Sequence, residues 1–309
     1  MLFDSILDTV GETPIIRINR LAPHGVALYV KLEARNPSGS IKDRMAMAIL
    51  DDALRDGRLR PGQTVVEATS GNAGIALAMA CAVRGHPFVA FIGDNFSVER
   101  RRLIRAYGAQ VVLTPAAEGA IGRSRAAREH AARIGGFFAD QYANPSNPRC
   151  HRDGTAQEIL RAFEGRRLDW FVSGWGSGGT LCGVGNALKR ARPDLRIAVA
   201  EPSQARVFAG QPWTAHDIAG WVPNFMPAVM SGAIGDETLA IDEAQARAAA
   251  RDLARHEGLC CGMSSGGAFA AARRLADDVA PGSVILTILP DTGERYLSTA
   301  LFADTEVDG

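Results

Sequence analysis

Primary amines are scarce in this sequence. Its 309 residues include 34 lysines and arginines, of which only Lys31, Lys42 and Lys189 are lysines. Lys31 lies in a predicted strand beside Glu33, and Lys189 lies near the end of a predicted helix, so both can be ordinary paired or solvated charges. Lys42 is therefore the candidate for chemistry that needs a free amine.

Lys42 lies in a segment that predicts a turn followed by a helix. Residues 36–44 read NPSGSIKDR, in which Pro-Ser-Gly favours a turn, Ser40 an N-cap and Asp43 its capping-box partner. This pattern puts Lys42 in the first helical turn, where the positive end of the helix dipole disfavours another positive charge. A lysine there is shifted toward the neutral amine, which is the form that makes Schiff bases. A first-turn lysine without any function is the alternative interpretation.

Three further segments consist mainly of small residues, and each lies at the start of a predicted helix. Residues 69–74 (TSGNAG) and residues 174–180 (GWGSGGT) both follow predicted strands, and residues 262–267 (GMSSGG) precede a predicted helix at 268–275. Backbone N–H groups at a helix start suit a phosphate or a carboxylate. Each segment taken alone can equally be a turn that caps its helix.

Residues 174–180 also match the GxGxxG pattern of dinucleotide-binding folds, through Gly174, Gly176 and Gly179. Glu201 follows at roughly the distance of a ribose-binding acid, so an NAD-dependent oxidoreductase is an alternative. The same glycines make a phosphate cup equally well. A P-loop is excluded, because none of the three lysines follows a glycine.

The combination of these segments favours a pyridoxal phosphate enzyme over a nicotinamide enzyme. Pyridoxal phosphate needs an amine for covalent attachment, a cradle for its phosphate, and partners for its ring oxygen and ring nitrogen. An amino-acid substrate needs a second anion site for its carboxylate. Lys42, the two strand-to-helix loops and the serines of residues 262–267 could supply all of these.

The elements that must position these residues are short apolar strands alternating with helices, which predicts mostly parallel sheets covered by helices. The alternation occurs twice, and residues 144–148 (NPSNP) are the predicted boundary. The predicted strands are 27–32, 64–68, 88–92, 110–113, 170–173, 196–200 and 283–289. The predicted helices include 41–56, 73–84, 98–107, 155–164, 181–191 and 242–257.

The composition argues against several kinds of partner. The 34 basic and 34 acidic side chains balance, which disfavours a nucleic-acid partner. Residues 73–83 form the longest apolar stretch, which is too short to span a membrane, and no signal peptide is evident. Five cysteines without a C-x-x-C pair and six scattered histidines predict neither disulfides nor a metal site. We therefore expect a reducing, cytoplasmic location.

The chain resembles the cysteine synthase (O-acetylserine sulfhydrylase) family of fold-type II pyridoxal phosphate enzymes over essentially its whole length. The motifs that carry the resemblance are GETP at 11–14, NPSGSIKDR at 36–44, EATSGNAGIALA at 67–78, GSGGT at 176–180 and DTGERYLST at 291–299. The resemblance implies an α/β fold with two open, twisted, mostly parallel sheets flanked by helices and an active site between two domains. The smaller, mobile domain would comprise residues 36–146, and the larger domain residues 1–35 plus 147–309. The resemblance also implies a homodimer.

The resemblance assigns roles to single residues. Lys42 would bind the cofactor and remove the substrate Cα proton, Asn72 would bind the phenolic oxygen, and Ser264, rather than Ser265, would face the pyridine nitrogen. The cofactor phosphate would lie on Gly176, Ser177, Gly178, Gly179 and Thr180. The substrate carboxylate would be bound by Thr69, Ser70, Asn72 and Gln141.

The implied reaction is β-replacement, in which O-acetyl-L-serine loses acetate and sulfide adds at Cβ to give L-cysteine. Two segments depart from the family pattern. Residues 151–159 (HRDGTAQEI), including Asp153 and Gln157, stand where relatives have TTGPEI, and residues 221–223 (WVP) stand where relatives are richer in glycine. The departures leave the donor and the nucleophile open, with O-phosphoserine, homocysteine or an amine as alternatives.

Overall fold

Two β-sheets flanked by helices organise the computed structural model, which describes residues 2–303. The strands are β1 (Ile15–Arg17), β2 (Ala27–Leu32), β3 (Val65–Thr69), β4 (Phe88–Gly93), β5 (Gln110–Thr114), β6 (Phe137–Phe138), β7 (Trp170–Gly174), β8 (Arg196–Pro202), β9 (Glu237–Ile241) and β10 (Val284–Leu289). The smaller sheet has the order β5-β4-β3-β6 and the larger one β1-β2-β10-β7-β8-β9. Neighbouring strands of the described chain run parallel except β1 and β2. The predicted fold class is confirmed.

Nine α-helices occur within residues 2–303, and two of them continue from π-helical turns. The helices are α1 (Lys42–Arg55), α2 (Asn72–Arg84), α3 (Val98–Ala106), α4 (Gly119–Ile134), α5 (Ser146–Cys150), α6 (Ala156–Ala162), α7 (Asn186–Ala191), α8 (Glu243–Glu257) and α9 (Met263–Asp278). The π-helical turns His151–Thr155 and Leu181–Gly185 precede α6 and α7. The helices predicted at 155–164 and 181–191 are therefore not regular α-helices throughout. Such turns are rare in proteins overall, but those that occur are often found at functional sites.

Two segments of turn-forming composition contain the starts of helices. In residues 144–148, the predicted boundary, α5 begins at Ser146, and the side chain of Asn144 accepts the Ser146 N–H at 3.1 Å. Residues 263–267 form the first turns of α9 rather than a loop before it. Position 266 requires glycine for close packing and not for a turn, because a Cβ there would collide with the backbone oxygen of Ala246.

Each sheet has its own hydrophobic core. Helix α9 packs on β10 and β7 of the larger sheet, where Phe171 and Phe269 are fully buried. Helix α2 packs between the smaller sheet and α1 and is buried over most of its length, including Ile75 and Leu77. A helix that is apolar all round is a core helix, which confirms the interpretation of residues 73–83.

A buried ion network ties the start of α1 to the larger sheet. Lys31 Nζ lies 2.6 Å from Glu158 and donates a hydrogen bond to the Thr13 carbonyl at 2.9 Å. The Arg44 guanidinium bridges Glu158 at 2.6 Å and Glu33 at 2.8 Å. Burial opposes ionisation of Glu158, but the bonds from Arg44 and Lys31 outweigh it and lower its pKa to about 2. The network fixes the helix that carries Lys42.

The described part of the chain contains no helix that is both long and apolar enough to span a membrane. Residues 2–303 also lack any group of three or more His, Cys, Asp or Glu side chains that could hold a metal ion. Strands β3 to β6 all lie within residues 36–146. The division into a smaller mobile domain and a larger domain stays a prediction.

Candidate active site

A cavity of about 510 Å³ lies at the carboxyl ends of strands from both sheets. The loop after β3 contributes Ser70 and Asn72, and the loop after β7 contributes Gly176, Ser177 and Thr180. Lys42 at the start of α1 and Ser264 at the start of α9 line the same cavity, as does Gln141. Ligands of open α/β sheets bind at this end of the strands. The structure thus brings eight of the predicted site residues to one cavity.

The amine of Lys42 is uncommitted. Within residues 2–303 its Nζ makes no hydrogen bond or ion pair, whereas Lys31 pairs with Glu158 and Lys189 pairs with Asp236 at 3.1 Å. Burial lowers the pKa of Lys42, although Cys150 and Asp291 act in the opposite direction. The expected shift toward the neutral amine is therefore present, but its main cause is desolvation and not the helix dipole.

The capping box predicted at the start of α1 is absent. Ser40 Oγ does accept the Lys42 N–H at 3.3 Å, but Asp43 does not reach back to Ser40. Its carboxylate instead accepts hydrogen bonds from the N–H of Ser38, at 2.6 Å, and from the Ser38 hydroxyl. Asp43 therefore stabilises the turn before the helix rather than the first helical turn itself.

Thr69 fixes the loop after β3 through hydrogen bonds on the side away from the cavity. Its hydroxyl accepts the N–H groups of Gly71 at 2.9 Å and Gly74 at 3.0 Å, and Thr69 does not line the cavity. Asn72 and Ala73 are the first residues of α2, so their N–H groups have no acceptor within the helix. Neither of these groups finds an acceptor elsewhere in residues 2–303. They form an open anion site in the cavity wall.

Two predicted ligand-binding side chains are already engaged by the protein. Asn72 Nδ2 donates to Asp291 at 2.7 Å, and Asn72 Oδ1 accepts from Arg295 at 2.7 Å, so one amide proton of Asn72 remains. Gln141 Nε2 donates to Glu67 at 3.2 Å and to the backbone of Ala68 at 3.0 Å. Gln141 therefore turns its amide protons away from the cavity and offers its oxygen as an acceptor.

The glycines after β7 allow close backbone approach. A Cβ at Gly176 would collide with the oxygen of Gly220, and a Cβ at Gly179 would collide with Asn147 Oδ1. Gly178 has φ +89°, a conformation that L residues with side chains rarely adopt. Asn147 Nδ2 donates to Ser177 Oγ at 3.0 Å, while its buried Oδ1 has no partner. The loop is thus a narrow, preformed cup of the kind that holds a phosphate.

Ser264 and Ser265 differ in their surroundings. Ser264 lines the cavity, and its hydroxyl makes no hydrogen bond among residues 2–303. Ser265 is fully buried behind it, with its Oγ 3.4 Å from Asp291. Only the first of the two serines can meet a ligand in the cavity.

The alternative nicotinamide site is contradicted by Glu201. This carboxylate is fully buried and accepts hydrogen bonds from the indole of Trp175 at 3.2 Å and from the backbone N–H of Phe208 at 2.7 Å and of Ala209 at 3.1 Å. It does not line the cavity. The acid that would bind a ribose is a structural acceptor, so the NAD interpretation is wrong.

Sequence reasoning missed Arg123 on α4, which lines the cavity although only 6% of it is exposed. It faces the Tyr142 hydroxyl and lies over the Phe96 ring, 5.4 Å from the ring centre. In residues 2–303 it forms no ion pair, and its buried Nε has no partner. Nothing in the sequence distinguishes Arg123, because most of the 34 basic residues are arginines.

The departing segment 221–223 forms one wall of the cavity. The indole of Trp221 lies where a Cβ at Gly174 or Gly267 would stand. The carbonyl of Val222 accepts from Trp213 Nε1 at 2.9 Å and lies 3.0 Å from His216 Nε2. The other departing segment, 151–159, does not line the cavity. Its His151 lies behind the cavity wall, with Nε2 3.5 Å from Thr180 Oγ1, and burial lowers the pKa of His151 well below its usual value.

The residues of this cavity fit pyridoxal phosphate. The narrow Gly176–Thr180 cup, the uncommitted amine of Lys42 and the free hydroxyl of Ser264 are the groups that such a cofactor needs. The family model described as "Pyridoxal-phosphate dependent enzyme" matches residues 6–291. The chain therefore belongs to the pyridoxal-phosphate-dependent enzymes, in the group that contains the cysteine synthases.

Similar proteins within this family carry more than one name. O-Ureido-L-serine synthase of Streptomyces lavendulae is 51% identical over 97% of this chain and 93% of its own length. A cysteine synthase of Staphylococcus aureus is 40% identical over 97% of both chains. The structural superposition with a crystal structure of O-ureido-L-serine synthase covers 100% of this chain and 98% of the other chain, with 50% sequence identity and a TM-score of 0.97. The resemblance identified in the sequence, the enzyme class and the cofactor are thus confirmed.

Proposed function

We propose that the chain catalyses β-replacement on O-acetyl-L-serine with hydroxyurea as the nucleophile, giving O-ureido-L-serine and acetate. The observation that carries the proposal is the 51% identity, over 97% of the chain, to a protein named for that product. O-Ureido-L-serine bears its ureido group on the serine oxygen. Making it by β-replacement therefore breaks the Cβ–O bond to acetate, forms a Cβ–O bond to hydroxyurea and releases the hydroxyl proton.

Sulfide, which would give L-cysteine, is the second candidate nucleophile. The 40% identity to a cysteine synthase supports it, as does the resemblance of the motifs. Sulfide has no carbonyl or amide group to recognise, whereas hydroxyurea has both. The cavity holds polar groups beyond those that the cofactor and a substrate carboxylate need, among them Arg123 and Asn224. This surplus favours the larger nucleophile.

Within this proposal, each side of the cavity has its own task. Pyridoxal phosphate, when bound, withdraws electrons from the substrate Cα and so makes its proton removable. Lys42 would take that proton, and its lowered pKa keeps more of the amine in the basic form at neutral pH. The open N–H groups of Asn72 and Ala73, with Ser70, would bind the carboxylate. Ser264 would meet the ring nitrogen.

The test is a product assay on the holoenzyme. O-Acetyl-L-serine is supplied with hydroxyurea, sulfide, homocysteine or a small amine, and O-phospho-L-serine replaces it as donor in a parallel series. We expect the highest kcat/KM for hydroxyurea with O-acetyl-L-serine, with the product identified by mass spectrometry. If no O-ureido-L-serine forms above the enzyme-free control, the first candidate is rejected; L-cysteine formation then decides the second.

The same proposal includes a homodimer in the cytoplasm, as expected from the resemblance and the composition. Sedimentation velocity of the holoenzyme tests the dimer, because a dimer and a single 32.8 kDa chain separate clearly. Fractionation of the source cells tests the location.

A further inference from the structure

We infer that Arg123, together with Tyr142, binds the carbonyl oxygen of the ureido group and thereby selects the nucleophile. The inference rests on the proposed function, because it assigns one part of the same cavity to hydroxyurea. Arg123 lies in the second turn of α4, and Tyr142 follows Gln141 after β6. Both side chains line the cavity that Lys42 also lines.

The first argument is that Arg123 is a buried cation without an anion. Its side chain is 94% buried, no carboxylate pairs with it among residues 2–303, and its Nε has no acceptor. Its two neighbours in the cavity wall are the Tyr142 hydroxyl and the Phe96 ring. A buried guanidinium that has no carboxylate partner and whose Nε lacks an acceptor is unfavourable unless a ligand supplies one. Arg123 is therefore placed for a ligand rather than for the fold.

The second argument excludes the substrate carboxylate as that ligand. The N–H groups of Asn72 and Ala73 at the start of α2 already provide an anion site in the cavity wall. That site belongs to the same loop as Ser70 and needs no arginine. Arg123 is therefore available to bind an oxygen of the substrate other than those of its carboxylate.

The third argument concerns where a carbonyl oxygen lies along the substrate. In O-acetyl-L-serine the carbonyl carbon is bonded to the serine oxygen, whereas in O-ureido-L-serine a nitrogen stands between them. A rigid pair of donors, one guanidinium and one phenol, can therefore align with one of these carbonyls and not with both. Asn224 favours the ureido group, because its buried Oδ1 has no partner and can accept from an amide N–H.

Asn224 lies close enough to act with Arg123. Its side chain is the nearest neighbour of Gly119, where a Cβ would stand 3.3 Å from Asn224 Nδ2. Gly119 and Arg123 are four residues apart on α4 and so lie on the same face of the helix. The three side chains offer donors for one carbonyl oxygen and an acceptor for an amide, which matches the end of a urea.

The experiment uses Arg123→Met, which keeps the length of the side chain and removes its donors. Release of acetate from O-acetyl-L-serine is measured without nucleophile, and kcat/KM is then measured separately for hydroxyurea and for sulfide. We expect kcat/KM for hydroxyurea to fall about 10- to 100-fold, as for loss of a hydrogen bond to a charged group. Acetate release and kcat/KM for sulfide should change less than about threefold.

Binding gives a second readout that does not depend on turnover. In a Lys42→Ala background, calorimetric titration with O-ureido-L-serine should show a dissociation constant raised by a similar factor when Arg123→Met is added. Tyr142→Phe should produce a smaller loss in the same direction. Arg125→Met, at an exposed position two residues away, is the matched control and should change neither measurement.

Three results would overturn the inference. Unchanged use of hydroxyurea by Arg123→Met would show that the arginine does not bind the nucleophile. An equal loss of acetate release would assign Arg123 to the donor, and an equal loss with sulfide would assign it a general structural role. A wild-type enzyme that never uses hydroxyurea would reject the proposed function itself, which the product assay reveals before any variant is made.

Discussion

Glu67 should make the stability of this enzyme fall as pH rises. Its carboxyl is fully buried on β3, and it accepts hydrogen bonds from the side chain and backbone N–H of Gln141 and from the backbone N–H of Ala68. Burial, followed by the negative charge of Asp140, raises the pKa of Glu67 to about 8. An unfolded chain releases the same proton near its ordinary value of 4.5. Between these two values the folded state holds a proton that the unfolded state has lost.

The sign and the size follow from that difference. Because the folded state binds more protons, the free energy of unfolding decreases with rising pH, by about 1.4 kcal/mol per unit at most. Between pH 5 and pH 8 the contribution of Glu67 sums to about 4 kcal/mol. Below about pH 4.5 both states are protonated, and the contribution is constant.

Glu67→Gln removes this titration while keeping the shape of the side chain. Urea unfolding of the wild type and the variant at pH 5, 6, 7 and 8 gives the difference in stability, from which the other titrating groups cancel. We expect the free energy of unfolding of the variant to increase relative to that of the wild type as pH rises, whatever the difference between them is at pH 5. A difference that stays flat across this range would refute the reasoning.

Asp140→Asn provides a matched control for the same effect. Asp140 has φ +52°, which asparagine tolerates better than most residues, and the substitution removes its charge together with its ion pair to Arg128, at 2.8 Å. The pKa of Glu67 should then be lower, so the decrease in stability should level off at a lower pH than in the wild type. An unchanged profile would mean that Asp140 does not act on Glu67.

Three further predictions concern the site and its support. Lys42→Ala should lower turnover about a thousandfold or more, because no other described amine is free, whereas Lys189→Ala should keep full activity in the same product assay. Gly179→Ala should raise the dissociation constant of pyridoxal phosphate about tenfold, measured by fluorescence titration, since the new methyl group would collide with Asn147. Glu158→Gln should lower the free energy of unfolding by about 3–5 kcal/mol at pH 7, because two buried cations lose their shared partner; a loss below 1 kcal/mol would contradict this.

The sequence was informative where local chemistry decides the structure. Strand-to-helix turns rich in glycine have few alternatives, so residues 69–74 and 174–180 were found with their flanking elements. Burial of Lys42 was not readable, because it depends on what the other sheet brings near it. The same holds for Gln141, whose amide is turned inward by Glu67, a residue 74 positions earlier in the chain.

The predicted helix boundaries were wrong where tertiary packing, and not local propensity, determines the helix. Residues 263–267 have the composition of a turn, yet they are helical because glycine at 266 lets α9 approach the backbone of α8. The proline-rich segment 144–148 resembles a linker, yet Pro145 and Pro148 stand at the start of α5, where a missing N–H is not needed. Arg123 gave no signal at all, since an arginine in a helix is ordinary until its burial is known.

The departure from the family pattern at residues 221–223 is best understood as a compensated change rather than as a loss. Trp221 occupies the space that Gly174 and Gly267 leave open, so its bulk is matched by the absence of side chains on two other elements. In the other departing segment, Glu158 matches the glutamate of TTGPEI, and it neutralises two buried cations beside the helix of Lys42. A chain that had lost its chemistry would have no reason to keep Lys42 uncommitted and the phosphate cup intact while one wall was rebuilt around an indole. The rebuilt wall continues into Asn224, which faces the helix of Arg123, so this departure and the candidate selectivity residues lie on the same side of the cavity. Under the proposed function, the wall rebuilt around Trp221 is the part of the cavity that meets the nucleophile.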